Sequence, residues 1–153
     1  MANKQRKKTV VLASGVFDLL HLGHVKFLED AKKAGGENAK LVVIIARDST
    51  VEKTKGRKPI MPENQRCSLV ESLKVVDEAM LGYQNFSIGE VIKNVKPDVI
   101  ALGYDQEDME KEVRNYLGKH KLGVKVVRIG KFEENNLDSS SKIKQEIIDK
   151  LAG

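Results

Sequence analysis

The chain has 153 residues, 41% of them hydrophobic and 5% aromatic, with no tryptophan and a formal net charge of +5. That length suits one domain with a proper core, and no apolar run is long enough to span a bilayer, so no membrane role is expected. The single cysteine, Cys67, excludes an intrachain disulfide; a cytosolic setting fits. Residues 1–8 are polar and basic rather than a secretory signal. Lys4, Arg6, Lys7 and Lys8 supply most of the excess charge. This stretch reads as a solvated basic tail, and the absence of an aromatic-studded basic surface pattern argues against nucleic acid as partner.

The remaining residues, 9–153, alternate β-branched runs with helical stripes. The predicted strands are 9–13, 40–46, 78–81, 98–102 and 124–129, several of them almost continuously apolar, as strands covered on both faces are. Apolar positions at helical spacing follow each strand: His24, Phe27, Leu28 and Ala31; Leu69, Val70 and Leu73; Ile88, Val91, Ile92 and Val95; Met109, Val113, Tyr116 and Leu117; and Ile143, Ile147, Ile148 and Leu151. Gly35-Gly36 stops the first helix, Pro62 and Glu63 open another, and Pro97 separates a helix from the fourth strand. This alternation predicts a single α/β domain, a Rossmann-like doubly wound parallel five-stranded sheet with helices on both faces. Ligands of such sheets bind beyond the carboxyl ends of the strands.

The segments at those ends carry the chemistry. After the first strand comes Gly15-Val16-Phe17-Asp18-Leu19-Leu20-His21-Leu22-Gly23-His24. Unpaired N–H groups and the helix dipole favour phosphate at a helix start, two histidines three apart share a face, and Gly23 lets a ligand approach. After the second strand, Arg47, Lys53, Lys55, Arg57 and Lys58 form a basic segment, read either as a mobile loop closing over a triphosphate or as a solvated surface loop. Arg66 shares a face with Leu69, Val70 and Leu73, so its guanidinium needs a buried anion or an open cleft, with a phosphate as the expected partner, unless it snorkels past the helix end. Gly103, Tyr104, Asp105 and Gln106 follow the fourth strand, where Asp105 and Gln106 suit a ribose or base edge or a helix cap. Asp138, Ser139, Ser140 and Ser141 open the last helix as a second anion site or its cap.

These residues resemble the HxGH nucleotidyltransferase superfamily over nearly the whole chain, through Gly15–His24, Gly103-Tyr104-Asp105 and Ser139-Ser140-Ser141-Lys142-Ile143. Ala46-Arg47-Asp48, Lys55-Gly56-Arg57-Lys58-Pro59, Glu63-Asn64-Gln65-Arg66 and Leu102-Gly103-Tyr104-Asp105-Gln106 look most like the archaeal-type FAD synthases. Sugar-phosphate adenylyltransferases and glycerol-3-phosphate cytidylyltransferases are similar. One departure is the segment 130–137, where relatives often carry an arginine and this chain offers only Lys131.

The resemblance implies transfer of AMP from ATP to the phosphate of FMN, with Mg²⁺ bridging substrate phosphates and no dedicated protein metal cage. It gives catalytic places to His21 and His24. Lys55 and Arg66 are expected at the β- and γ-phosphates. Gly15, Val16, Phe17, Asp18, Gly23, Gly103, Asp105, Ser139, Ser140 and Ser141 are expected around the nucleotide, with Asp18 holding either a histidine or the metal. The alternatives are transfer to a sugar or glycerol phosphate, a non-catalytic nucleotide-binding module, or a fragment-like relative of class I aminoacyl-tRNA synthetases. A homodimer contact is expected along the apolar segment 86–95.

Overall fold

The structure, a computed structural model, describes residues 6–85, 87–132 and 139–153. Five strands form one sheet: β1 (Thr9–Gly15), β2 (Ala39–Ile45), β3 (Glu78–Leu81), β4 (Val99–Leu102) and β5 (Lys125–Arg128). All pairs are parallel and the order is β3-β2-β1-β4-β5. The chain winds outward from β1 through β2 to β3, then returns to the other side of β1 for β4 and β5. The order reverses between β1 and β4, which opens a crevice where their following loops leave for opposite faces.

The strands bury both faces with a period of two. Val11, Ala13, Leu41, Val43, Ile45, Val99 and Ala101 point to one side, against Leu28 and Ala31 of α1 (Leu22–Lys33) and Val70 of α3 (Glu63–Glu71). Leu12, Ile44, Ile100 and Leu102 point to the other, against Val91 and Ile92 of α4 (Ile88–Val95) and Val113 and Leu117 of α5 (Glu107–Lys119). The expected sheet with helices on both faces is therefore the observed one.

Three expectations change. The basic segment is not a loop throughout: residues Asp48–Lys55 form α2, a helix with one buried residue, Val51. Its start is fixed by reciprocal capping with α3, because the Asp48 N–H donates to Glu63 Oε2 at 2.8 Å and the Glu63 N–H to Asp48 Oδ2 at 3.3 Å. Carboxylates at both first turns also suit the helix dipoles. Second, Ile88, Val91, Ile92 and Val95 pack within the chain's own core. The stripe predicted as a dimer contact is used internally, and Phe86 lies outside the described residues. Third, α6 (Ser140–Ala152) forms as expected but buries none of its residues, leaving Ile147, Ile148 and Leu151 exposed.

The N-terminal edge of the sheet is closed by carboxylates. Asp77 accepts the Leu41 N–H at 2.7 Å and pairs with Lys32 at 2.9 Å, while Asp98 accepts the Val10 N–H at 2.8 Å.

Candidate active site

At the opposite edge a cleft of about 960 Å³ opens over the ends of β1, β2, β4 and β5, within the range of small-molecule sites. The turn between β1 and α1 forms its floor. Phe17 and Leu19 both lie in the left-handed region, at φ 54° and 57°, although neither is glycine. Each such residue costs about 1–2 kcal/mol, so the turn persists only because its surroundings hold it. Gly15 is needed for packing, since a Cβ there would stand 2.7 Å from the Phe17 ring.

His21 is the N-cap of α1, and His24 lies one turn inside it. Their rings stack at 3.8 Å between centroids, and the Phe17 ring meets His24 edge-on at 5.3 Å. The His21 backbone N–H donates to His24 Nδ1 at 3.2 Å. Burial first, and then the charge of His21, lower the His24 pKa to about 3; Asp18 pulls it upward, and Lys55 adds a smaller downward push. The ring is therefore neutral near pH 7. With Nδ1 accepting, its proton sits on Nε2, which makes Nε2–H a fixed donor without a net charge.

Asp18 is buried, and its charge pulls the His24 pKa upward. Its carboxylate accepts the Ile60 N–H at 2.9 Å and the Met61 N–H at 3.0 Å, and it pairs with Lys144 of α6 at 3.3 Å. Burial raises its pKa, but the Met61 and Ile60 amides and Lys144 outweigh that and hold it below the ordinary value. The Ser140 hydroxyl donates to the Asp18 carbonyl. These bonds, rather than the apolar stripe, seat the start of α6 on the cleft. Ser139 caps α6 by accepting the Lys142 N–H at 3.2 Å.

Arg66 is corrected. Its side chain is fully buried and does not line the cleft. The guanidinium donates to Met61 O at 2.9 Å, Val16 O at 2.7 Å and Asp48 Oδ1 at 2.7 Å. The anion that answers this buried guanidinium is the half-buried Asp48 carboxylate, not a phosphate. Arg47 is half-buried and donates from Nε to Gly82 O at 2.7 Å.

The other predicted residues gather on the cleft. Lys55 reaches it from the last turn of α2, just before Gly56 ends that helix at φ 73°; Arg57 and Lys58 follow. Gly23, Val16, Gly103, Asp105, Ser139, Ser140 and Ser141 line it too. The N-cap of α5 is Gln106 rather than Asp105. The Gln106 side chain accepts the Gly103 N–H at 2.8 Å and donates to Ser14 O at 3.4 Å, tying β4 to β1 across the crevice. Asp105 stands exposed at the rim. In the departing segment, Lys131 Nζ lies 5.6 Å from the Tyr104 ring centroid. Residues 133–138, and with them Asp138, lie outside the described residues.

Lys144 was missed in the sequence. It lines the cleft one helical turn beyond Ser140, and that i, i+4 spacing from a predicted anion-binding serine was the available signal. Among the described residues no group of three or more His, Cys, Asp or Glu could hold a metal ion. No described helix is long and apolar enough to cross a membrane.

Comparisons agree with this geometry. Residues 12–146 match the family model described as cytidylyltransferase-like. An FAD synthase of Methanopyrus kandleri is 51% identical over 140 residues, covering 91% of each chain. An FAD synthase of Aciduliprofundum boonei is 48% identical over 141 residues, covering 92% of this chain and 91% of its own. The crystal structure of a lipopolysaccharide core biosynthesis protein from Thermoplasma volcanium superposes with a TM-score of 0.74 at 45% identity, covering 83% of this chain and 100% of that one. The chain belongs to the cytidylyltransferase-like family and is a nucleotidyltransferase.

Proposed function

We propose that residues 9–153 act as one FMN adenylyltransferase unit, moving AMP from Mg·ATP to the phosphate of FMN to give FAD and pyrophosphate. The observation that carries the chemistry is the neutral His24, its Nδ1 held by the His21 amide and its Nε2–H turned into a donor at the foot of a cation-lined cleft. The FAD synthases, matched over about nine-tenths of the chain, carry the choice of acceptor.

A phosphate oxygen of FMN attacks the α-phosphorus in line, a new P–O bond forms, and the bond to the β-phosphate oxygen breaks. The acceptor phosphate is already about −1.5 to −2 at pH 7, so no general base is required. Catalysis is alignment and charge stabilisation. His24 Nε2–H and His21 stabilise the transferring phosphoryl group together with the free amides of the α1 start. Lys55, with Arg57 and Lys58, neutralises charge building on the leaving pyrophosphate, and Lys144, Ser140 and Ser141 face the phosphates from α6. Gly23 and Gly103 keep the cleft wall low for the nucleotide, and Asp105 meets the nucleoside hydroxyls. A Mg²⁺ bound to ATP would neutralise part of the phosphate charge, and no cluster of side chains among the described residues forms a cage for it.

The test pairs ATP or CTP with FMN, heptose-1-phosphate or glycerol-3-phosphate and follows pyrophosphate release. Release with ATP and FMN, with FAD as product, is expected. Inertness of that pair while another reacts moves the chain to a different acceptor, and inertness of all pairs with nucleotide still bound makes it a binding module.

A further inference from the structure

We propose that Asp18 and Arg66 are positioning residues, a two-sided clamp on Met61 that locks one end of the basic segment onto the histidine turn. The Met61 N–H is held by Asp18 Oδ1 at 3.0 Å and the Met61 carbonyl by Arg66 Nε at 2.9 Å. The same two side chains grip the histidine turn. Asp18 is part of it, and Arg66 donates to Val16 O at 2.7 Å. Asp18 also takes the Ile60 N–H at 2.9 Å. The backbone of residues 60–61 is thus bound to the backbone of residues 16–18 through two buried side chains of opposite charge.

The geometry gives this lock a task. Residues 56–58 are exposed and carry Arg57 and Lys58, with Lys55 on the last turn of α2 just before them. One end of this span is anchored where Gly56 caps α2, and α2 is itself tied to Arg66 through Asp48 at 2.7 Å. The other end is anchored at Ile60 and Met61. A short span fixed at both ends on one buried guanidinium has a set position over His21 and His24. Lys144, paired with the same Asp18 carboxylate at 3.3 Å, brings α6 into the same register. Asp18 and Arg66 therefore act on catalysis through the cations they place. That role rests on reading the cleft as the phosphate site; the clamp itself rests on the bonds alone.

A double-mutant cycle tests it on the full chain. Asp18→Asn is expected to lower kcat/KM for Mg·ATP by about 10- to 100-fold, the size of a misplaced catalytic group. In a chain already carrying Lys55→Ala, Arg57→Ala, Lys58→Ala and Lys144→Ala, the same change should cost less than about twofold, because the groups it positions are gone. An undiminished loss in that background overturns the proposal and puts Asp18 in direct contact with the reacting groups. Arg66→Lys, which keeps the charge facing Asp48 but not the fork of donors, should show the same non-additivity. Hydrogen exchange on the unaltered protein needs neither folding variants nor activity. Slow amides at Ile60 and Met61 beside fast ones at Arg57 and Lys58 are expected, and equally fast exchange at all four overturns the clamp. If no acceptor reacts with ATP, the functional reading fails while the exchange pattern still decides the clamp.

Discussion

The two edges of the sheet are built on opposite principles. At the N-terminal edge, Asp77 and Asp98 each close a gap in the ladder with one strand amide, and Lys32 balances the first. Left-handed residues occur there too, Lys96 and Lys121 both at φ 52°, but they serve as ordinary helix ends after α4 and α5. At the C-terminal edge, two non-glycine residues hold left-handed conformations, a histidine is kept neutral by burial, and Lys55, Arg57 and Lys58 line open space. The first edge lowers the energy of the fold. The second keeps groups where an anion can use them, and the Asp18 and Arg66 bonds offset the strain.

Four measurements would break or sharpen that contrast. The largest effect belongs to Arg66→Met, which removes the cation beside half-buried Asp48 and the donors to the Val16 and Met61 carbonyls. A loss of about 2–4 kcal/mol is expected in denaturant titrations, from three hydrogen bonds made by one buried charged group. His24→Ala comes next. Turnover measured by pyrophosphate release should fall about 10²–10³-fold, the usual cost of one transition-state donor, with the circular dichroism and melting curve retained. Near-full turnover would remove His24 from its role.

The third measurement is a titration. Because burial lowers the His24 pKa from 6.5 to about 3, the folded chain binds fewer protons than the unfolded chain between those values. Stability from this group is complete above pH 6.5 and is lost as the pH falls toward 3. Nitrogen chemical shifts of His24 should show a neutral, Nε2-protonated ring from pH 5 to 8. A titration midpoint near 6.5 would contradict the buried, amide-held ring. The smallest effect is at the other edge. Asp98→Ala removes one amide partner, so about 1 kcal/mol of stability should go while kcat stays unchanged. A large loss of turnover there would end the division of labour between the edges.

Much of the fold was legible because its signals are local. The five strands announce themselves as β-branched runs, and the observed bounds differ from the predicted ones by one or two residues. The histidine turn was legible because glycine, two histidines and a strand end fall within ten positions. The helix α2 was not, since its stability comes from caps shared with Glu63 and not from an apolar stripe. Ser140 was read as a phosphate ligand or cap, while the structure also gives its hydroxyl to the Asp18 carbonyl, 122 positions away.

By itself, the order of apolar runs and turn residues determined a parallel sheet and put the histidines, glycines and serines of the candidate site on its carboxyl edge, because hydrophobic period and helix-end chemistry act over a few residues. Only the tertiary structure decided which charges face the cleft and which face the protein. Arg66 and Asp18 carry full charges that no local pattern pairs. Their partners, Val16 and Met61, lie 50 and 43 positions away, and a buried charge takes whichever oxygen or amide the packed chain brings within reach.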